Sequence, residues 1–174
     1  FGSLAAALYL RRHGQPIAPF FDRVSPGAAL AFTFVRTGCF LAGCDYGRPT
    51  SGPLGVRFPP GSLAAVDHFH RGWIRGDAPS LPVHPTELYE AAVGLAACAA
   101  AALILRTGRR DGSAFAAFAG IYATGRFALE FLRGDLGRGA VLGLSTAQIV
   151  SVGLWVGIAV WWRGRHSRHI SRVP

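Results

Sequence analysis

Two arginines stand where an apolar chain should not hold them. Arg36 lies in "FTFVRTGCFLAGCDYG" (residues 32–47) and Arg126 in "IYATGRFALEFLRGD" (residues 121–135). A charge centred in a hydrophobic span costs roughly 2.5–3.5 kcal/mol on insertion scales, so such residues normally have a partner or a ligand, or snorkel to an interface. In the second stretch Tyr122, Arg126 and Glu130 recur at steps of four, with Arg133 seven positions after Arg126. On a helix these fall on one stripe. One reading is an Arg126–Glu130 ion pair that merely neutralises itself. The other is a guanidinium offering spare donors to a phosphate, since it carries five.

The first stretch has its own pattern. Arg36, Cys39, Gly43 and Gly47 follow i, i+3, i+7 and i+11, one face of a helix if the helix runs that far. Small residues there would leave room beside the guanidinium. Cys39 and Cys44 would lie about 140° apart round a helix and would not bridge without breaking it. Two ligands alone do not specify a metal site, so both read as small buried hydrophobes.

"VHPTELYEA" (83–91) supplies a rigid helix start: Pro85 suits a first turn, and Glu87 and Glu90 favour the helix dipole. His84 beside it is a candidate proton carrier. "LSTAQI" (144–149) offers Ser145, Thr146 and Gln148 as caps or interhelical hydrogen bonds. His68 and His70 read as loop histidines on a strand-like spacing.

The elements that must position these residues are apolar. The chain is 51% hydrophobic and 16% charged, against about a quarter charged in a soluble domain. Apolar segments cover 1–10, 26–44, 88–105, 112–132 and 141–162. The last four have about the 20 residues that a membrane-spanning helix needs, and their alanines and glycines allow close helix packing. A soluble bundle would show a polar face on each helix, which these runs lack. The fold expected is an all-α integral membrane protein: one transmembrane domain over 1–174, with about four complete spans plus one partial.

Arginine placement orients that bundle. If every segment crosses, ten arginines (11, 12, 23, 106, 109, 110, 163, 165, 168 and 172) share one side, and six (48, 57, 71, 75, 133 and 138) the other. The richer side marks the cytoplasm. The C-terminus is then cytoplasmic and residues 45–83 form a long extracytoplasmic loop. The net charge of +9 comes from arginine clusters between apolar runs. Without a basic stripe carrying interleaved aromatics, nucleic acid is not the expected partner. Three cysteines make no disulfide framework. The chain opens at Phe1 with no methionine anywhere, which reads as a fragment lacking its N-terminus.

"RTGCFLAGCDYGR", "HPTELYEA", "YATGRFALEFLR" and "LSTAQI" together resemble, in order and approximate spacing, the prolipoprotein diacylglyceryl transferase family. The resemblance runs over nearly the whole chain. It implies a seven-helix fold in the bacterial inner membrane, here without about the first two helices and part of the third. It also implies a cofactor-free, metal-free transfer of a diacylglyceryl group. The donor would be phosphatidylglycerol, and the acceptor the lipobox cysteine thiol of a prolipoprotein signal peptide. Carried over by position, Arg36 holds the lipid phosphate and Gly47 closes the signature. Arg126 is the second essential arginine, oriented by Glu130 with Tyr122 beside it, and His84 begins the His-Pro motif. Cys39, Ala42 and Cys44 stand where the signature has Asn, Asn and Glu, and Glu87 where it has Gln. The family's His-Gly-Gly histidine would fall at or just before Phe1. The alternatives are a catalytically altered relative that binds anionic lipid or a membrane partner, and an anion transporter. A transporter is disfavoured because no repeated halves appear.

Overall fold

The computed structural model describes residues 2–109, 111–134, 140–141 and 143–170. Arg110, Arg138 and Arg172, used above for orientation, lie outside them. Six α-helices follow in order: α1 (Gly2–Arg12), α2 (Ile17–Ala42), α3 (Leu63–His70), α4 (Thr86–Arg106), α5 (Ser113–Leu129) and α6 (Thr146–Ile170). A 3-10 turn (Glu130–Leu132) follows α5, and a two-residue antiparallel pair, β1 (Ala140–Val141) with β2 (Leu144–Ser145), precedes α6.

α2, α4 and α5 pack against one another, and α6 packs on α5. Small residues set these crossings. A Cβ on Gly94 would meet Thr33 Oγ1, and one on Gly125 would come 2.6 Å from a Val93 methyl. Thr33 Oγ1 donates to Ala29 O at 3.1 Å and to Ala91 O at 3.4 Å, tying α2 to α4. The buried apolar residues of these helices are alanines: 29, 91, 97, 101, 114, 119 and 123. The large ones point outward, among them Phe34, Leu41, Leu95 and Leu103. A core of alanine and polar groups under an apolar exterior is what helix association in lipid produces. α2 and α4 are both long and apolar enough to cross a membrane.

Several expected boundaries move. α2 begins nine positions before the expected 26, and Pro26 sits inside it. The early start brings Asp22 into the helix, fully buried. Its Oδ2 accepts from Gly112 N at 2.7 Å and its Oδ1 from Phe115 N at 2.9 Å. Asp22 thus caps the N-terminus of α5 from another helix, satisfying donors that have no partner of their own. α5 is shorter than the expected 112–132, because the chain tightens into the 3-10 turn at Glu130. α6 starts later than 141, where Ser145 and Gln148 exchange hydrogen bonds in a capping box.

The 45–83 segment is ordered by backbone rather than by regular sheet. Isolated bridges join Gly47 to Arg133, Pro49 to Val83 and Val56 to Val83. Phe58, Ala64 and Val83 form its core, with Phe40 and Tyr46 against it. His68 and His70 are on α3, not on a strand. Two positions apart on a helix they face differently, so His68 is buried and His70 exposed.

Candidate functional site

The site forms where the C-terminal ends of α2 and α5 meet the first turns of α4. Glu90, 2% exposed, is the centre. Its Oε1 accepts from Arg126 Nη1 at 2.7 Å and lies 3.4 Å from Arg133 Nη1, while its Oε2 pairs with Arg36 Nε. Arg126 Nη2 is 3.0 Å from Glu130 Oε2. Asp45 closes the cluster, with Oδ2 2.9 Å from Arg36 Nη1 and Oδ1 2.8 Å from Arg133 Nη2. Three guanidiniums thus face three carboxylates, with Arg133 the most buried cation and Asp45 at the wetter edge. Arg36 also lies 5.3 Å over the Phe32 ring.

Arg36 and Arg126 thus meet on one carboxylate, that of Glu90. Beside Arg126, Phe32, Val93, Tyr122 and Leu129 enclose a gap too narrow for water. Tyr122 packs edge-on against Phe32 at 5.2 Å between ring centres. His84 stands apart: its Nδ1 is 3.5 Å from Tyr89 Oη, and its backbone O accepts from Gly47 N at 2.9 Å.

The helix face expected for Gly43 and Gly47 does not exist, because α2 ends at Ala42. Gly43 takes φ 68° in the left-handed region and terminates it, with its N–H on Phe40 O and that of Cys44 on Cys39 O. Gly47 serves close approach instead. A Cβ there would sit 2.8 Å from His84 O, Leu132 O and Thr86 Cγ2. It is wedged between the His-Pro segment and the end of α5, and Thr86 Oγ1 donates to Asp45 O at 3.0 Å to complete the joint.

Ending the helix between the cysteines also brings them together. One ligand atom each from Cys39, Cys44 and Asp45 lie within 4.8 Å of one another. The cluster is poorly suited to a cation, since Asp45 already serves two guanidiniums. Burial, the neighbouring Cys39 and the Asp45 charge push the Cys44 thiol up to about 11.

Sequence reasoning singled out Arg36, Arg126 and Glu130, which the fold brings together. It read Glu90 as a dipole partner, placed Arg133 on the stripe without a role, and passed over Asp45 and Asp22. The signal for Glu90 was close to the one used for the arginines: an ionisable residue at the head of a long apolar run. Glu87 also proves buried, 1% exposed, and among the described residues no other side chain pairs with its carboxyl.

Fold and cluster together define a class: a helical bundle of the membrane-integral kind, with cations and carboxylates gathered at one end of its helices. Within that class, the chain belongs to the prolipoprotein diacylglyceryl transferase family, which it matches over residues 1–163. It is 36% identical over 151 residues to the phosphatidylglycerol–prolipoprotein diacylglyceryl transferase of Clostridium tetani, covering 87% of this chain and 55% of the relative. A second enzyme of that name from Clostridium perfringens is 33% identical, covering 90% of this chain and 56% of the relative. One from Gloeobacter violaceus is 32% identical, covering 95% and 59%. The chain spans just over half the length of these relatives.

Proposed function

We propose that this chain carries the phosphate-handling part of an enzyme that moves a diacylglyceryl group from phosphatidylglycerol to a cysteine thiol of a prolipoprotein. A carbon–sulfur bond forms at the glycerol carbon, the carbon–oxygen bond to phosphate breaks, and glycerol phosphate leaves. The thiol gives up its proton. The leaving group gathers negative charge, which fixed guanidiniums stabilise better than water does. Arg36 and Arg126 hold that phosphate, Glu90 and Glu130 orient them, and Arg133 fixes Asp45. Ion pairs occupy Nη1 and Nε of Arg36 and both Nη atoms of Arg126. Among the described residues no ion pair occupies Arg36 Nη2 or Arg126 Nε, and these receive the phosphate oxygens. Tyr122 lines the Arg126 side, Gly47 sets the close approach that positions Asp45, and His84 is the nearby proton carrier.

One observation carries the choice of an active transferase over an altered relative. The signature glutamate is replaced by Cys44, yet the next residue, Asp45, pairs with both Arg36 and Arg133. The carboxylate is displaced by one position rather than lost.

The same reading gives a multi-pass protein of the bacterial inner membrane, in which α2, α4, α5 and α6 cross. The 45–83 segment is then extracytoplasmic and the C-terminus cytoplasmic. The acceptor is a signal peptide with a lipobox cysteine. The test is complementation of a transferase-depleted strain by the full-length gene. Rescue by the wild type, abolished by Arg126→Ala, is expected. No rescue by the wild type sinks the activity, and rescue by Arg126→Ala sinks the role given to that arginine.

A further inference from the structure

The way α2 ends brings two thiols side by side. Cys44 N donates to Cys39 O at 3.1 Å and Gly43 N to Phe40 O at 3.1 Å, around the left-handed Gly43. These two bonds make a Schellman turn, whose first and last residues bring their side chains together. That contact is ordinarily between two apolar groups. Here it is between Cys39 and Cys44. Their sulfur atoms lie within 4.8 Å of each other, and Cys44 Sγ donates to Cys39 O at 3.5 Å. Both cysteines are free and half-buried, so the pair is reachable from outside.

We propose that Cys39 and Cys44 form a reversible disulfide that staples the end of α2 to the segment carrying Asp45. The inference rests on the extracytoplasmic placement of this end of the bundle only for its oxidising surroundings, where disulfides form and persist. The turn's own hydrogen bonds already hold the two backbones together. Rotation of the side chains then closes the sulfurs to the bonded distance of about 2.05 Å, and α2 keeps its turns. Cys44 directly precedes Asp45, whose carboxylate joins Arg36 to Arg133. The staple therefore fixes the backbone from which that carboxylate reaches the arginine cluster.

The oxidant is a second disulfide, of low molecular weight or on an exported dithiol protein. One thiol of the pair loses its proton and attacks a sulfur of that disulfide, displacing a first thiolate. The other loses its proton and attacks the mixed disulfide, displacing the second. One S–S bond breaks in the oxidant and one forms in the protein. The two protons and two electrons end on the oxidant as two thiols. With the Cys44 thiol pushed up to about 11, its proton is given up reluctantly. Contact within one turn makes the second attack intramolecular, which offsets that. Two thiols in mere apolar contact would instead stay open to alkylation after such treatment.

The test uses the full-length protein in detergent, treated with oxidised glutathione, denatured, alkylated and digested with trypsin. Residues 37–57 make one tryptic peptide with both cysteines and without Cys98, since Pro49 protects the bond after Arg48. The expected product is this peptide unalkylated and two hydrogens lighter, converted by reductant to a form that alkylates twice. Reduction is expected to lower the melting temperature of the oxidised protein by about 5 °C. Cys39→Ser, and separately Cys44→Ser, should remove that dependence on reductant, and either decides if the other does not fold. A peptide alkylated at both cysteines, or carrying glutathione without the internal bridge, overturns the staple. So does a bridge whose reduction leaves the melting temperature unchanged. Cells alkylated before lysis are read in parallel, and the bridged peptide is expected there too. A bridge that forms in detergent but is absent from cells overturns the extracytoplasmic placement and leaves the staple.

Discussion

Arg126 reaches across from α5 to place Nη1 2.7 Å from Oε1 of Glu90, on α4. The same carboxylate receives Arg36 from α2, so one buried glutamate ties three helices. Removing one partner from such a buried cluster leaves charge uncompensated, at a cost of about 3–5 kcal/mol. Glu90→Gln is therefore expected to lower thermal stability in detergent sharply. Adding Arg126→Gln should recover part of the loss, because residues sharing one network couple by about 0.5–3 kcal/mol. A double variant as unstable as the sum of the singles would show that the pair is not coupled.

Gly38 and Gly47 make opposite predictions from the same substitution. A Cβ on Gly38 meets nothing within 4 Å, and the residue is within α2. Gly38→Ala should be neutral or stabilise by up to about 1 kcal/mol through helix propensity. At Gly47 the new carbon would meet two backbone carbonyls at 2.8 Å. Relief requires the His-Pro segment and the end of α5 to separate, so Gly47→Ala should cost at least the roughly 1–3 kcal/mol of overpacking. It should also abolish complementation. Paired melting curves decide, and equal effects at the two sites would refute the wedge.

Asp22 sets the axial position of α5, and with it Arg126. Its two oxygens satisfy two backbone donors at the start of that helix. Asp22→Ala is expected to destabilise by about 1–2 kcal/mol, and Asp22→Asn by less, since the amide keeps one acceptor. Hydrogen exchange should rise first at residues 112–116. Unchanged protection there would remove the cap.

Legibility followed locality. The stripe of Tyr122, Arg126 and Glu130 was visible because helical spacing is a property of the chain. The ion partner of Arg126 on α4 was not, because pairing between helices depends on their packing. The end of α2 misled for a related reason: Gly43 reads equally as a small residue on a helix face or as a left-handed terminus. Only the latter brings Cys39 and Cys44 together and frees Asp45 to turn toward Arg36. Pro26 misled in the other direction, since a proline within an apolar run reads as a start, and the polar turn before it hid Asp22.

His68 gives the 45–83 segment a pH dependence of definite sign. It is fully buried, and its Nδ1 accepts from Leu81 N at 3.1 Å. The ring proton is thereby assigned to Nε2, and an imidazolium would have to aim a second N–H at that donor. Burial holds the pKa below the ordinary 6.5, with Arg71 acting in the same direction and Asp67 against it. The unfolded chain therefore takes up the proton first as pH falls. The contribution to stability is complete above about 6.5 and is lost as pH drops toward the lower folded value. Asp67 does not confuse this window. Burial pushes its carboxyl up, but hydrogen bonds from Tyr46 and Arg71 outweigh that and hold it below 3.8. Between pH 7.5 and 5, hydrogen exchange across residues 63–83 should accelerate in wild type beyond its intrinsic pH dependence. In His68→Gln that excess should flatten, and an equal excess in both proteins would assign the pH response to another group.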